Sequence, residues 1–197
     1  MNAQVEATLR RIEEEDGRDR EDGTPRKLRL RAITREVGEF LHLTIKLIDA
    51  KRILEVGTSG GYSTIWLADA ARETGGRVTT LELDPAKIER ARPNIADAGL
   101  SDVVAMVEGD AREMAAALGD AFDFVFLDVE KEYYDELLDP LVAVLRPGGV
   151  LVADNLLSHA EDLAGFRVHA ESHPDLECVL IPIPKGELLC RKRGGAG

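Results

Sequence analysis

Two short stretches of this chain could together handle a hard cation and a proton. FDFVFLDVEK (122–131) ends an apolar run on Asp128 and places Lys131 three residues later, and GGVLVADN (148–155) ends another on Asp154-Asn155. Two carboxylates and an amide oxygen suit Mg²⁺, Mn²⁺ or Ca²⁺ rather than a thiolate-seeking metal. A lysine beside them could take up a proton. Taken singly, each residue is an ordinary cap or turn residue. Their coincidence at two strand ends is what points to chemistry.

Other strand ends carry compatible groups. After RILEV comes Gly57-Thr58-Ser59-Gly60-Gly61-Tyr62-Ser63, a glycine turn that lets backbone approach a ligand and presents a helix N-terminus to an anion. Its spacing is not the dinucleotide G-x-G-x-x-G pattern. Glu82 ends the next strand, where an acid accepts hydrogen bonds from the two hydroxyls of a ribose. Asp110, in Gly109-Asp110-Ala111 after the third strand, could reach an adenine amine or simply cap a helix.

These positions require a scaffold that brings strand ends together. Apolar runs at 52–56, 77–83, 103–107, 122–127 and 148–153 read as strands. Helical patterns at 34–49, 63–72, 85–99, 111–118, 130–145 and 160–172 separate or flank them, with Pro93 and Pro140 as perturbations. Strands alternating with helices imply right-handed crossovers and a doubly wound, mostly parallel α/β sheet, whose ligands sit at the carboxyl ends of the strands. LECVLIPI and ELLCRK around Pro184-Lys185-Gly186 predict a closing antiparallel hairpin. Val5, Leu9 and Ile12 fit a short N-terminal helical stripe, and the charge run at 13–23 reads as a loop.

The 197 residues, 44% hydrophobic and 31% charged, fit a single globular core. There is no membrane-length apolar segment and no apolar leader, so the expected location is the cytoplasm. In that compartment Cys178 and Cys190 read as reduced core residues, although as strand neighbours they could face one another. The net charge is −12; residues 1–35 carry about +1 and residues 36–197 about −13, an acidic body that disfavours nucleic acid as a partner. TPRKLRLRAITR (24–35) is a basic exception, carrying Arg26, Lys27, Arg29, Arg31 and Arg35. It reads as a solvated segment or as an arm meeting an anionic substrate.

Together, LEVGTSGGYSTIWLA (54–68), Glu82, EGDA (108–111), FLDVEKEYY (126–134) and GGVLVADN (148–155) resemble the divalent-cation-dependent O-methyltransferases. These S-adenosylmethionine enzymes include the catechol and caffeoyl-CoA methyltransferases. The resemblance runs from about residue 35 to 193. It implies a Rossmann-like methyltransferase domain over 34–197 and leaves 1–33 as a polar, helical extension. It also implies a homodimer, a small-molecule acceptor and no membrane association. Gly57, Tyr62 and Ser63 would line the methionine part of the cofactor, Glu82 would hold the ribose, and Asp110 with Ala111 would flank the adenine. Asp128, bordering the cofactor as well, would ligate the cation with Asp154 and Asn155. Lys131 would be the general base.

The chain reads Asp128-Val129-Glu130-Lys131 where relatives often read Asp-Ala-Asp-Lys. LLSHAEDL (156–163) replaces a loop that often carries an aromatic beside the acceptor, so acceptor identity does not carry over. His159 in that loop could touch substrate or be solvated. His169 and His173, spaced one helical turn apart, read as a polar helix face. Two alternatives stand beside the small-molecule reading: methylation of a hydroxylated uridine in tRNA, and a nucleoside-binding module without catalysis.

Overall fold

The computed structural model describes residues 1–25, 29–114, 118–119 and 122–194. Five parallel strands, β1 (Arg52–Val56), β2 (Arg77–Glu82), β3 (Val104–Glu108), β4 (Phe122–Leu127) and β5 (Leu145–Ala153), alternate with helices α3 (Tyr62–Thr74), α4 (Pro85–Asp97), α5 (Ala111–Met114) and α6 (Tyr134–Val144). Helices α1 (Ala3–Glu21) and α2 (Arg35–Leu47) precede them, and α7 (Ala164–Ser172), β6 (Leu176–Ile181) and β7 (Glu187–Lys192) follow. The sheet order is β3-β2-β1-β4-β5-β7-β6, with β7 antiparallel to both neighbours. The doubly wound sheet and its closing hairpin are as expected.

Alternation along each strand feeds two cores. Ile53, Phe124, Phe126, Val150 and Val152 face α1–α4, whereas Leu54, Val125, Leu127, Leu151 and Ala153 face α6 and α7. Because both faces are covered, the strands are apolar throughout rather than polar on one side. The chain leaves β1 and β4 towards opposite faces, which opens a crevice at their carboxyl ends, the usual ligand position of such sheets.

Several boundaries differ from the expectation. The charged stretch after Ile12 continues as helix to Glu21. Its charges are paired: Arg20 with Asp16 at 2.7 Å, and Glu13 and Glu15 with the distant Arg35 and Arg90 at 3.0 and 2.6 Å. Val5, Leu9 and Ile12 are fully buried in the same core as α2 and α3. After β4 a 3₁₀ turn (Lys131–Tyr133) leads into α6, which continues through Pro140. Residues 115–117 of the expected 111–118 helix, and Arg26 and Lys27, lie outside the described residues. No helix among the described residues is long and apolar enough to cross a membrane.

The cysteines require a correction. Cys178 and Cys190 are register partners on β6 and β7, with Cα atoms 4.1 Å apart, and are joined as a disulfide rather than standing as separate thiols. The tight turn between the strands places them opposite one another, a geometry that two sequence positions alone do not specify.

One polar cluster sits inside the core. Glu55, on β1, is fully buried and accepts hydrogen bonds from Ser63 (2.5 Å), Thr64 (2.5 Å) and Thr80 (2.6 Å). Thr58 lies 2.5 Å from Thr80, so the carboxylate ties β1, β2 and the start of α3 together beneath the glycine turn. Burial pushes its carboxyl up from 4.5 to about 7, against the lowering by the three hydroxyls. Between those values the folded state holds a proton that the unfolded state has lost. Stability from this group is therefore full below pH 4.5 and declines as pH rises to about 7. Glu55→Gln, which keeps the shape and removes the charge, is expected to match the wild type near pH 4.5 and exceed it by up to about 3 kcal/mol at pH 8. Urea unfolding midpoints across pH measure this. Equal slopes for both proteins would mean that Glu55 titrates normally.

Candidate functional site

A cleft of about 860 Å³ lies across the carboxyl ends of β1–β5. Gly57, Glu82, Asp110, Ala111, Asp128 and Asn155 all line it, so six of the expected site residues from five strand ends share one wall system. Gly57 makes the convergence possible. Its φ of +105° is a glycine conformation, and a Cβ there would strike the backbone carbonyl of Asp128. The ends of β1 and β4 therefore touch through backbone alone.

Glu82 sits at the centre of the cleft. Its carboxylate accepts from the backbone N–H groups of Ser59 (2.9 Å) and Asp84 (3.0 Å), which fix it between the glycine turn and the start of α4. Each oxygen keeps a further lone pair for a ligand donor. Asp110 marks the next strand end, where Arg112 donates to it from both backbone N (2.9 Å) and Nη2 (2.5 Å). These bonds hold its carboxyl below the ordinary carboxylate range. The Arg112 guanidinium in turn lies 4.4 Å over the Tyr133 ring.

The other end of the cleft is acidic. Asp128 Oδ1 accepts from Lys131 Nζ (3.1 Å) and Asn155 Nδ2 (2.9 Å), which confirms that the ends of β4 and β5 are neighbours. Lys131 Nζ also donates to the Val129 carbonyl (2.9 Å) and the Tyr134 hydroxyl (3.0 Å), so its three donors are all engaged. Asn155 adopts φ +77°, the left-handed region that asparagine tolerates better than most residues. That bend turns its amide back towards Asp128 while Asp154 points inward. Asp154 is fully buried; Oδ1 accepts from the Asn155 N–H (2.6 Å) and Oδ2 has no partner other than the facing Glu187 carboxyl. Burial, then the nearby Asp128, raises its carboxyl above the usual range.

A divalent cation can be tested against this donor set. Two carboxylates and an amide side chain, each able to offer a hard oxygen, meet at one corner, and a buried Asp154 oxygen has no partner but the facing Glu187 carboxyl. An unpaired buried oxygen is costly without a proton, water or ion. Asp128, Asp154 and Asn155 thus fit a hard cation. A tight triad of His42, Asp69 and Glu73 also exists on α2 and α3. None of the three lines the cleft, and Met1, Lys46 and Arg72 already supply positive charge to it.

Some side chains point elsewhere than expected. Tyr62 and Ser63 border only a narrow recess beside Gly57. The Tyr62 hydroxyl donates to Glu13 of α1 (2.6 Å), and the Ser63 hydroxyl donates to Glu55. What remains for a ligand there is the uncapped N-terminus of α3, where Gly61 makes no side-chain cap. His159 stands on the cleft wall with Nδ1 3.0 Å from Ser158 Oγ. His169 and His173 pair with Asp135 and Asp139 of α6. Arg29 and Arg31 face the cleft, and Arg31 reaches Glu130 (2.5 Å).

Two buried acids lie outside the expected site residues. Glu55 underlies the glycine turn, and Glu187, which opens β7, is fully buried against Asp154. Burial and the facing Asp154 push Glu187 up to about 11. The available signal was a single acid inside an apolar strand, ILEV or ELLC.

With this geometry in place, the similarity to known proteins becomes informative. A family model described as "O-methyltransferase" matches residues 20–193. A catechol O-methyltransferase of Mycobacterium tuberculosis is 42% identical over 127 residues, covering 64% of this chain and 57% of that protein. The chain thus spans little more than half of that relative's length. Among solved structures, the O-methyltransferase TomG of Streptomyces achromogenes, in complex with SAM, is 29% identical with a TM-score of 0.79, covering 93% of this chain and 89% of that one. An O-methyltransferase of Bacillus cereus, in complex with SAH, is 26% identical with a TM-score of 0.82, covering 95% and 91%. The family match takes in every strand and every residue of the cleft's acidic corner, and the chain belongs to the O-methyltransferase family.

Proposed function

We propose that this chain transfers a methyl group from S-adenosylmethionine to a hydroxyl of a small, vicinally hydroxylated aromatic acceptor, with a divalent cation at the Asp128–Asp154–Asn155 corner. The observation that carries this reading is the meeting, in one cleft, of a nucleoside-type acid at Glu82 and an oxygen-ligand corner at Asp128, joined through Gly57. The cofactor supplies an electrophilic methyl on a sulfonium. Glu82 holds the ribose hydroxyls, Asp110 and Ala111 border the adenine, and the N-terminus of α3 beside Gly57 favours the amino-acid carboxylate. A cation held by Asp128, Asp154 and Asn155 would lower the cost of ionising an acceptor hydroxyl.

A free phenol ionises near pH 10, so the acceptor proton must be removed by a positioned group. Lys131 is that group in this reading. Its Nζ lies 3.1 Å from Asp128 and spends three protons in its present hydrogen bonds, so it must first release one of them before its lone pair can take the acceptor's proton. Val129, Ser158, His159 and Lys185 wall the acceptor end. The inward-facing Arg29 and Arg31, the latter already paired to Glu130, argue for an anionic group on a small acceptor rather than for a surface that follows a nucleic-acid backbone.

Methyl transfer to catechols and hydroxycinnamoyl thioesters, assayed with and without EDTA, tests the reading. Turnover is expected to fall to background with chelator and to return with Mg²⁺ or Mn²⁺; chelator-insensitive turnover would refute the cation's role. Lys131→Met is expected to lose about 100-fold or more in kcat while binding S-adenosylhomocysteine normally. Glu82→Ala is expected to do the reverse first, weakening S-adenosylhomocysteine about tenfold or more in calorimetry, since it removes hydrogen bonds to a charged group.

A further inference from the structure

The acidic corner holds more unsatisfied oxygen than its three expected ligands explain. Glu187 is 0% exposed, and its carboxyl and that of Asp154 are hydrogen-bond partners. Beyond that shared contact, Asp154 Oδ2 and both Glu187 oxygens have no partner among the described residues. Lys185, two residues earlier, directs its Nζ to the Ala32 carbonyl (3.2 Å). Buried acids in this state call for an ion, a water or a proton.

The placement of Glu187 is built in, because the turn before β7 docks on the loop after β5. Leu156 N–H donates to the Gly186 carbonyl (2.9 Å), and Leu157 and Ser158 donate to the Lys185 carbonyl (2.7 and 3.0 Å). A side chain at Gly186 would strike Leu157. That close seat holds the first residue of β7 behind Asp154.

We propose that Glu187 belongs to the cation site, as the buried acid behind Asp154 whose hydrogen bond positions this ligand. The proposal rests on the cation reading given above. Ligand rigidity helps set the affinity of oxygen sites for divalent ions, and the residues that orient first ligands contribute strongly.

The test uses the full chain with Mn²⁺ alone as probe, without cofactor or acceptor. Binding is followed by calorimetry and by loss of the free-ion electron-spin signal, and Tm is measured with Mn²⁺ and with EDTA. The wild type is expected to bind and to gain Tm with Mn²⁺. Glu187→Leu, which cannot hydrogen-bond Asp154, is expected to bind about 10- to 100-fold more weakly. Glu187→Gln, whose amide can still donate to Asp154, is expected to keep most of the affinity and, in EDTA, the wild-type Tm. The glutamine variant thus separates loss of this contact from a packing fault in the leucine variant. If Glu187 only fills the core, the variants lose stability in EDTA yet bind Mn²⁺ as the wild type does, and the proposal is wrong. If the wild type itself ignores Mn²⁺, the cation reading fails and this proposal falls with it.

Discussion

The close approach of Gly57 to the Asp128 carbonyl is the constraint on which the site depends. A doubly wound sheet opens a crevice where its first and fourth strands diverge, but a crevice alone would hold two separate subsites. Without a side chain at residue 57, the glycine turn and the end of β4 share a backbone contact. A group held against Glu82 and an oxygen held against Asp128 then fall within one cavity. Proximity of this kind can supply a large part of a barrier reduction without any new chemistry.

The surrounding structure keeps that contact rigid. Beneath it, Glu55 gathers three hydroxyls from α3 and β2 and so fixes the turn from inside. Above it, the segment leading into α2 lies across the turn, with Ser59 Oγ donating to the Leu30 carbonyl (2.7 Å) and Asp16 accepting from the Ala32 N–H (3.2 Å). The N-terminal helix is therefore part of the wall of the cleft. Its carboxylates reach the Tyr62 hydroxyl and Arg90 as well as each other's arginines.

The sequence disclosed the parts of this design that repeat or that end a strand. Alternation of apolar runs with helical spacing gave the sheet, and Asp128, Asp154, Asn155, Glu82 and Asp110 stood out because each follows such a run. What stayed hidden depends on contacts distant in the chain. Residues 13–21 look like a charged loop because their partners, Arg35 and Arg90, lie elsewhere in sequence. Tyr62 and Ser63 sit at motif positions, yet Glu13 and Glu55 decide where their hydroxyls point. Glu187 carries no signal of its own, because only the hairpin brings it behind Asp154.

The insertion of β7 between β5 and β6 also bears on how the chain assembles. β6 precedes β7 in the chain but touches the sheet only through it, so β6 cannot join alone. Until the hairpin arrives, β5 presents an unpaired, apolar edge of the kind that recruits other chains. β7 is thus the strand that covers the edge of β5 and leaves the less buried β6 at the border of the sheet, and slow docking of this hairpin would show first as aggregation during refolding.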